Sequence, residues 1–148
     1  MGTRRLAREQ ALQVLFYMDM HTNPGANSVE LFCRCFTRDA TAEPFFHCLV
    51  DGVRDKRRHI DTVIETFSSN WKLQRMSCVD RNVLRIAVFE LLFCEDIPPK
   101  VTINEAIDVG KRFGTEESGA FINGILDSIW LAIEKDQLPP VSKTDIEI

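Results

Sequence analysis

With 148 residues, 45% hydrophobic and 27% charged, the chain has the balance of a water-soluble globular protein,, long enough to bury roughly 68–70% of its unfolded surface without disulfide or metal staples. Its net charge of −4 excludes a protein that coats nucleic acid by bulk charge, so any nucleic-acid site must be a local patch. No apolar run is long enough to cross a membrane, and five cysteines, an odd count without a secretory leader, predict free thiols in a reducing, cytoplasmic setting,.

The first predicted helix runs from about Arg4 to Met20, with Leu6, Ala7, Ala11, Val14, Leu15 and Met18 on one stripe,. Arg4, Arg5 and Arg8 fall in its first turns, where the helix dipole disfavours cations but the free N–H groups attract anions. Two readings stay open there: a site for a phosphate partner, or a solvated surface. Glu9 and Asp19 interrupt the likeness of this Arg-rich start to a transit peptide. After the His21-Thr22-Asn23-Pro24-Gly25 turn, a short second helix is expected from about Ser28 to Phe36. The third begins at Pro44, a residue favoured in the first helical turn. Its stripe of Phe45, Cys48, Leu49, Val53, Ile60, Val63, Ile64 and Phe67 predicts one continuous helix to Ser68. The basic run Arg54, Lys56, Arg57 and Arg58, interleaved with Asp55, reads as a solvated face.

Ser77 and Asp80 have capping-box spacing at the head of the fourth helix. Val79, Val83, Leu84, Ala87, Leu91 and Cys94 follow at helical steps until Pro98-Pro99 ends the pattern. Thr102 and Glu105 repeat the capping-box spacing ahead of Ile103, Ile107, Gly110 and Phe113, and Gly114 stops this fifth helix. The sixth carries Ile122, Ile125, Leu126, Ile129 and Ile133 and ends before Pro139-Pro140. Asn123-Gly124 is a hairpin signal elsewhere, but here it lies inside a helical stripe. A glycine inside a helix costs roughly 1 kcal/mol, so Gly110 and Gly124 predict close approach of another helix. The fold class is therefore all-α, without strands or internal repeats.

Enzyme chemistry has no foothold in these patterns. There is no Gly-rich phosphate loop, no H-E-x-x-H and no G-x-S-x-G. His21, His47 and His59 are scattered. Cys33, Cys35, Cys48, Cys78 and Cys94 lack zinc-ligand spacing, which leaves core packing as their role and no metal or other cofactor to be expected. Glu90 interrupts the apolar run of the fourth helix and reads as a buried structural hydrogen bond or ion pair.

Five stretches, in order, resemble the NusB family of bacterial transcription antitermination factors. They are Arg4-Arg5-Leu6-Ala7-Arg8-Glu9 with Ala11-Leu12-Gln13-Val14-Leu15-Phe16; Asn70-Trp71-Lys72-Leu73 leading into Val79-Asp80-Arg81-Asn82-Val83-Leu84-Arg85-Ile86-Ala87; Glu90-Leu91-Leu92; Ile97-Pro98-Pro99-Lys100-Val101 with Ile103-Asn104-Glu105-Ala106-Ile107; and Lys111-Arg112-Phe113-Gly114-Thr115-Glu116-Glu117-Ser118 followed by Phe121-Ile122-Asn123-Gly124-Ile125-Leu126-Asp127. From His21 to Phe46 no motif is assigned. Val88-Phe89 stands where the family often has a tyrosine, and Gly110 replaces a more usual alanine.

The resemblance implies a NusB-like bundle of two three-helix halves, about residues 1–75 and 76–138 of a single RNA-binding domain, with residues 139–148 as a tail. It implies binding of the boxA element of nascent RNA jointly with NusE, a small-ribosomal-subunit protein, within the RNA polymerase antitermination complex. The residues it assigns to RNA are Arg4, Arg5, Arg8, Lys111, Arg112, Phe113, Ser118 and Phe121. Those near the NusE dock are Gln74, Asp80 and Arg81. Charge and chemistry agree, since a single-stranded RNA reader needs cations for phosphates and aromatic faces for bases. The alternatives are a helical protein-interaction module that binds no RNA, and a fragment related to the NusB-like domain of some RNA cytosine methyltransferases. The latter needs an α/β domain of which there is no trace here. A homodimer covering the arginine helix is a further expected resting form.

Overall fold

A computed structural model of the chain describes residues 2–20, 42–69 and 71–138. Among them are six α-helices and no strand: α1 (Gly2–Met20), α2 (Glu43–Asp55), α3 (Arg57–Phe67), α4 (Cys78–Phe93), α5 (Pro99–Phe113) and α6 (Ser118–Glu134). The expected helix from Ser28 to Phe36, with Cys33, Cys35 and the turn before it, lies outside the described residues, as does the tail.

The stripe of α1 does what its spacing predicts. Ala7, Ala11, Val14 and Leu15 are buried, and Leu6 and Met18 pack at the margin of the core. The third predicted helix is corrected to two. The chain bends at Lys56, whose φ of −107° and ψ of 14° leave the helical region. Its N–H still donates to the Gly52 carbonyl (3.0 Å), and its own carbonyl accepts from Ile60 N–H (2.9 Å), so the bend strands no hydrogen bond there. Val53 and Ile60 are seven residues apart, about two helical turns. The apolar pattern therefore passes through the bend in phase and does not announce it. The bend lets α2 and α3 both pack on α4.

Helix α4 is the centre of the bundle. It touches α1, α2, α3, α5 and α6, and every residue from Asn82 to Glu90 is buried. Ser77 caps it by accepting from Asp80 N–H at 3.1 Å. It ends at Phe93, ahead of Pro98-Pro99. Those prolines start α5 instead: Pro98 is its N-cap and Pro99 occupies the first turn, where a missing N–H costs nothing,. Thr102 and Glu105 are therefore interior residues of α5, not a capping box. Both side chains turn into a buried polar cluster.

Two glycines mark close helix contacts. A Cβ on Gly110 would collide with the Ile122 side chain of α6, as the sequence predicts, and one on Gly52 would collide with the Phe89 ring, which it did not predict. Gly124 differs from expectation, for a Cβ there would meet nothing within 4 Å. The core-packing expectation holds for Cys94, which packs partly buried against the core, but is corrected for exposed Cys48 and for Cys78, which is partly buried beside Asp19. No described helix is long and apolar enough to cross a membrane.

Candidate nucleic-acid interface

The three arginines at the start of α1 are not equivalent. Arg8 is 3% exposed. Its Nε donates to Glu90 Oε2 (2.9 Å) and its Nη2 to Glu90 Oε1 (2.7 Å), a two-pronged pair on α4. Nη1 reaches Glu105 Oε1 on α5 at 3.3 Å, and Thr102 Oγ1 donates to Glu90 Oε1 at 3.1 Å. Arg8 thus ties α1 to α4 and α5 from inside. Glu90 has the structural ion pair that its place in an apolar run predicts.

Arg5 lies at the edge of that cluster. It donates to Glu105 Oε2 through Nε (2.8 Å) and Nη2, and to Asp108 Oδ2 (2.8 Å). Hydrogen bonds to Glu105 and then Asp108 raise its already high pKa, so it is cationic at any working pH. Arg4 is the outermost, paired with Asp96 at 3.1 Å. Arg4 and Arg8 both place their guanidinium carbons 5.3 Å from the Phe45 ring centre of α2, a cation–π contact that the sequence shows only as part of an apolar stripe,.

The second group lies where α5 gives way to α6. Arg112 donates to Glu9 Oε2 of α1 at 2.9 Å, which joins this corner to the arginine helix. Its side chain is 66% exposed and stacks over Phe113 at 5.3 Å, a ring that is itself exposed. Lys111 is exposed, its alkyl chain so close over Gly119 that a Cβ there would meet Cε at 2.7 Å. Ser118 is 1% exposed, and its Oγ accepts from Thr115 N–H at 2.9 Å, which closes the turn that Gly114 opens. Phe121 is partly buried against the core. The α1–α5 pairs Arg5–Asp108 and Glu9–Arg112 put Arg5 and Arg112 along one seam, with Lys111 and Phe113 next to Arg112 in the chain and Arg4 further off, at Asp96 and Phe45. Direct contact by Arg8 or Ser118 does not fit their burial, because each is already engaged by an internal partner.

The residues expected at the protein dock surround the head of α4. Gln74 is exposed in a 3-10 turn, Leu73–Arg75. Arg81 is held between Asp19 Oδ2 (2.8 Å) and the Leu73 carbonyl (3.1 Å). Asp80 keeps one carboxylate oxygen, Oδ1, buried without a hydrogen-bond partner. Asp19 was not foreseen. Its Oδ2 also accepts from Asn82 Nδ2 (3.0 Å) and Arg85 Nη1 (3.4 Å). Burial pushes its pKa up, but Arg85, Asn82 and Arg81 outweigh that and hold it below the ordinary 3.8. Among the described residues, no three His, Cys, Asp or Glu side chains converge as a metal site.

A sequence model of the NusB family matches residues 5–130. Transcription antitermination protein NusB of Desulfatibacillum aliphaticivorans is 56% identical over 137 residues, covering 93% of this chain and 96% of that protein. The protein of the same name from Syntrophus aciditrophicus is 50% identical over 135 residues, covering 91% and 84%. Among solved structures, a T. maritima NusB superimposes with a TM-score of 0.80 at 38% identity, covering 92% of this chain and 93% of that one. A crystal structure of antitermination factors NusB and NusE in complex with double-stranded RNA gives a TM-score of 0.77 at 31% identity, covering 89% and 98%.

Proposed function

The chain belongs to the NusB family of transcription antitermination proteins, and from that premise we propose that it binds boxA RNA together with NusE and joins the elongating RNA polymerase complex in the cytoplasm, ribosomal RNA operons included. It works by binding, not by catalysis. The observation that carries the reading is the exposed Arg112 guanidinium over the exposed Phe113 ring, joined through Glu9 to the helix that carries Arg4 and Arg5. Guanidinium and ammonium groups take phosphates, and a ring next to them takes a base face. A structural relative solved with NusE and double-stranded RNA supports the two classes of partner.

Within this reading Arg8 and Ser118 are supports. Arg8 seats α1 on its neighbours, Ser118 shapes the α5–α6 turn, and Phe121 packs partly buried against the core. Gln74, Asp80 and Arg81 form the NusE dock, with exposed Gln74 and the partly exposed Asp80 side chain at its surface. A homodimer that covers the arginine helix would be a resting form that RNA and NusE dismantle.

Titration of boxA RNA with this chain alone and with NusE at two salt concentrations tests the proposal. Joint binding should be tighter, because two proteins then share one RNA and neutralise more phosphates. Equal affinity with and without NusE would count against joint recognition. Salt-independent binding would count against the arginine corner.

A further inference from the structure

The corner assigned to RNA is not a bare positive patch. Arg4, Arg5, Arg8 and Arg112 face five carboxylates: Asp96, Glu105, Asp108, Glu90 and Glu9. These acids differ in how firmly they are held. Glu90 and Glu105 are buried and bind Arg8 from both sides, and the Glu9 side chain is only 12% exposed. Asp108 is 53% exposed and, among the described residues, pairs with Arg5 alone. It sits three residues after Glu105 on α5, on the same helix face. The two carboxylates thus hold one guanidinium between them, one anchored and one loose. Arg5 Nη1 makes no hydrogen bond to a described residue. If Asp108 swung out, an Nη1–Nη2 edge would open while Glu105 kept the guanidinium in place.

We propose that Asp108 is a displaceable counter-ion of Arg5, a stand-in for phosphate that RNA must replace to dock. The inference rests on the RNA-binding reading above. An exposed ion pair is worth little, so an RNA that makes many contacts pays for the exchange readily. An RNA that makes one or two passing contacts gains a phosphate on Arg5 only by giving up Asp108, with almost no net change. Asp108 therefore lowers the gain from Arg5 by the same small amount for every RNA that engages it, while leaving Arg5 pre-oriented.

The test is a double-mutant cycle on the full chain. Dissociation constants are measured for a boxA-containing single-stranded RNA and for an unrelated RNA of equal length. The variants are Asp108→Asn, Arg5→Ala, both together, and Glu65→Gln as a control. Glu65 is an exposed carboxylate on α3 that pairs with none of these arginines. Asp108→Asn should tighten the unrelated RNA about 1.5- to 5-fold, the worth of one exposed ion pair. It should tighten boxA RNA by at least as much, because docking there always displaces Asp108, and have no effect once Arg5 is alanine. A gain of equal size in the Arg5→Ala background, or an equal gain from Glu65→Gln, would mean a general charge effect and overturn the proposal. Weaker binding by Asp108→Asn would make Asp108 a support rather than a competitor. RNA binding without any gain removes this proposal alone. No RNA binding by the wild-type chain removes the RNA-face reading and this proposal with it.

Discussion

Arg8→Ala separates an internal clamp from an RNA contact. The substitution leaves Glu90, 1% exposed, with only Thr102 Oγ1 as a side-chain donor among the described residues. Glu105 keeps Arg5. Breaking a buried pair on one side costs about 3–5 kcal/mol, because the remaining charge stays buried and unpaired. In a chain of this size each kcal/mol moves the melting temperature by about 2–4 °C, so the midpoint should fall by about 6–20 °C. The same reasoning predicts that Arg8→Met combined with Glu90→Leu recovers much of that loss, since neither charge is then stranded. Thermal melts followed by circular dichroism decide the matter. An Arg8→Ala midpoint close to wild type would refute the clamp. So would a double variant whose loss equals the sum of the two single losses. A second readout is the salt dependence of RNA binding: the folded double variant should keep the wild-type slope, because Arg8 neutralises no phosphate.

Arg4→Ala, Arg5→Ala and Arg112→Ala should each lower the slope of log affinity against log salt by about 0.7, the value per phosphate on a single strand, with helix content unchanged; a triple variant with the wild-type slope would take this corner off the RNA path. Asp80→Asn should fold normally, since the helix cap is the Ser77 hydroxyl, yet bind NusE more weakly in a pull-down or calorimetric titration. If even Asp80→Lys leaves NusE binding intact, Asp80 plays no part in the dock. Asp19 links stability to pH. Its carboxyl is held below the ordinary 3.8 in the folded chain, so its contribution is present in full above that value and is lost as pH falls through the folded value. The wild-type melting temperature should therefore drop more between about pH 5 and about pH 3 than that of Asp19→Asn; equal drops would show that Asp19 carries no such linkage.

Most of the fold was legible in the sequence because helical burial is periodic. Ala7, Ala11, Val14 and Leu15 of α1, and Ile122, Ile125, Leu126 and Ile129 of α6, repeat at the helix step and are all buried. Residue type and position marked the arginine start of α1 and the isolated glutamate of α4, while the basic, aromatic end of α5 was marked by the family resemblance. The bend at Lys56 was invisible because a seven-residue step keeps both halves in phase. Thr102 and Glu105 were misread because cap spacing and an inward-facing helical step look alike in one dimension.

What only the tertiary structure could decide is which cation is free to meet a ligand. Arg4, Arg5 and Arg8 are the same residue type within one and a half helical turns. One is sealed between Glu90 and Glu105, one is shared between Glu105 and Asp108, and one is at the rim with Asp96. Their partners lie 82 to 103 positions away in the chain. Local sequence determines that a helix forms and which stripe it buries. The fate of a charge depends on the carboxylates and the solvent that surround it, and those are set only when α4 and α5 pack against α1.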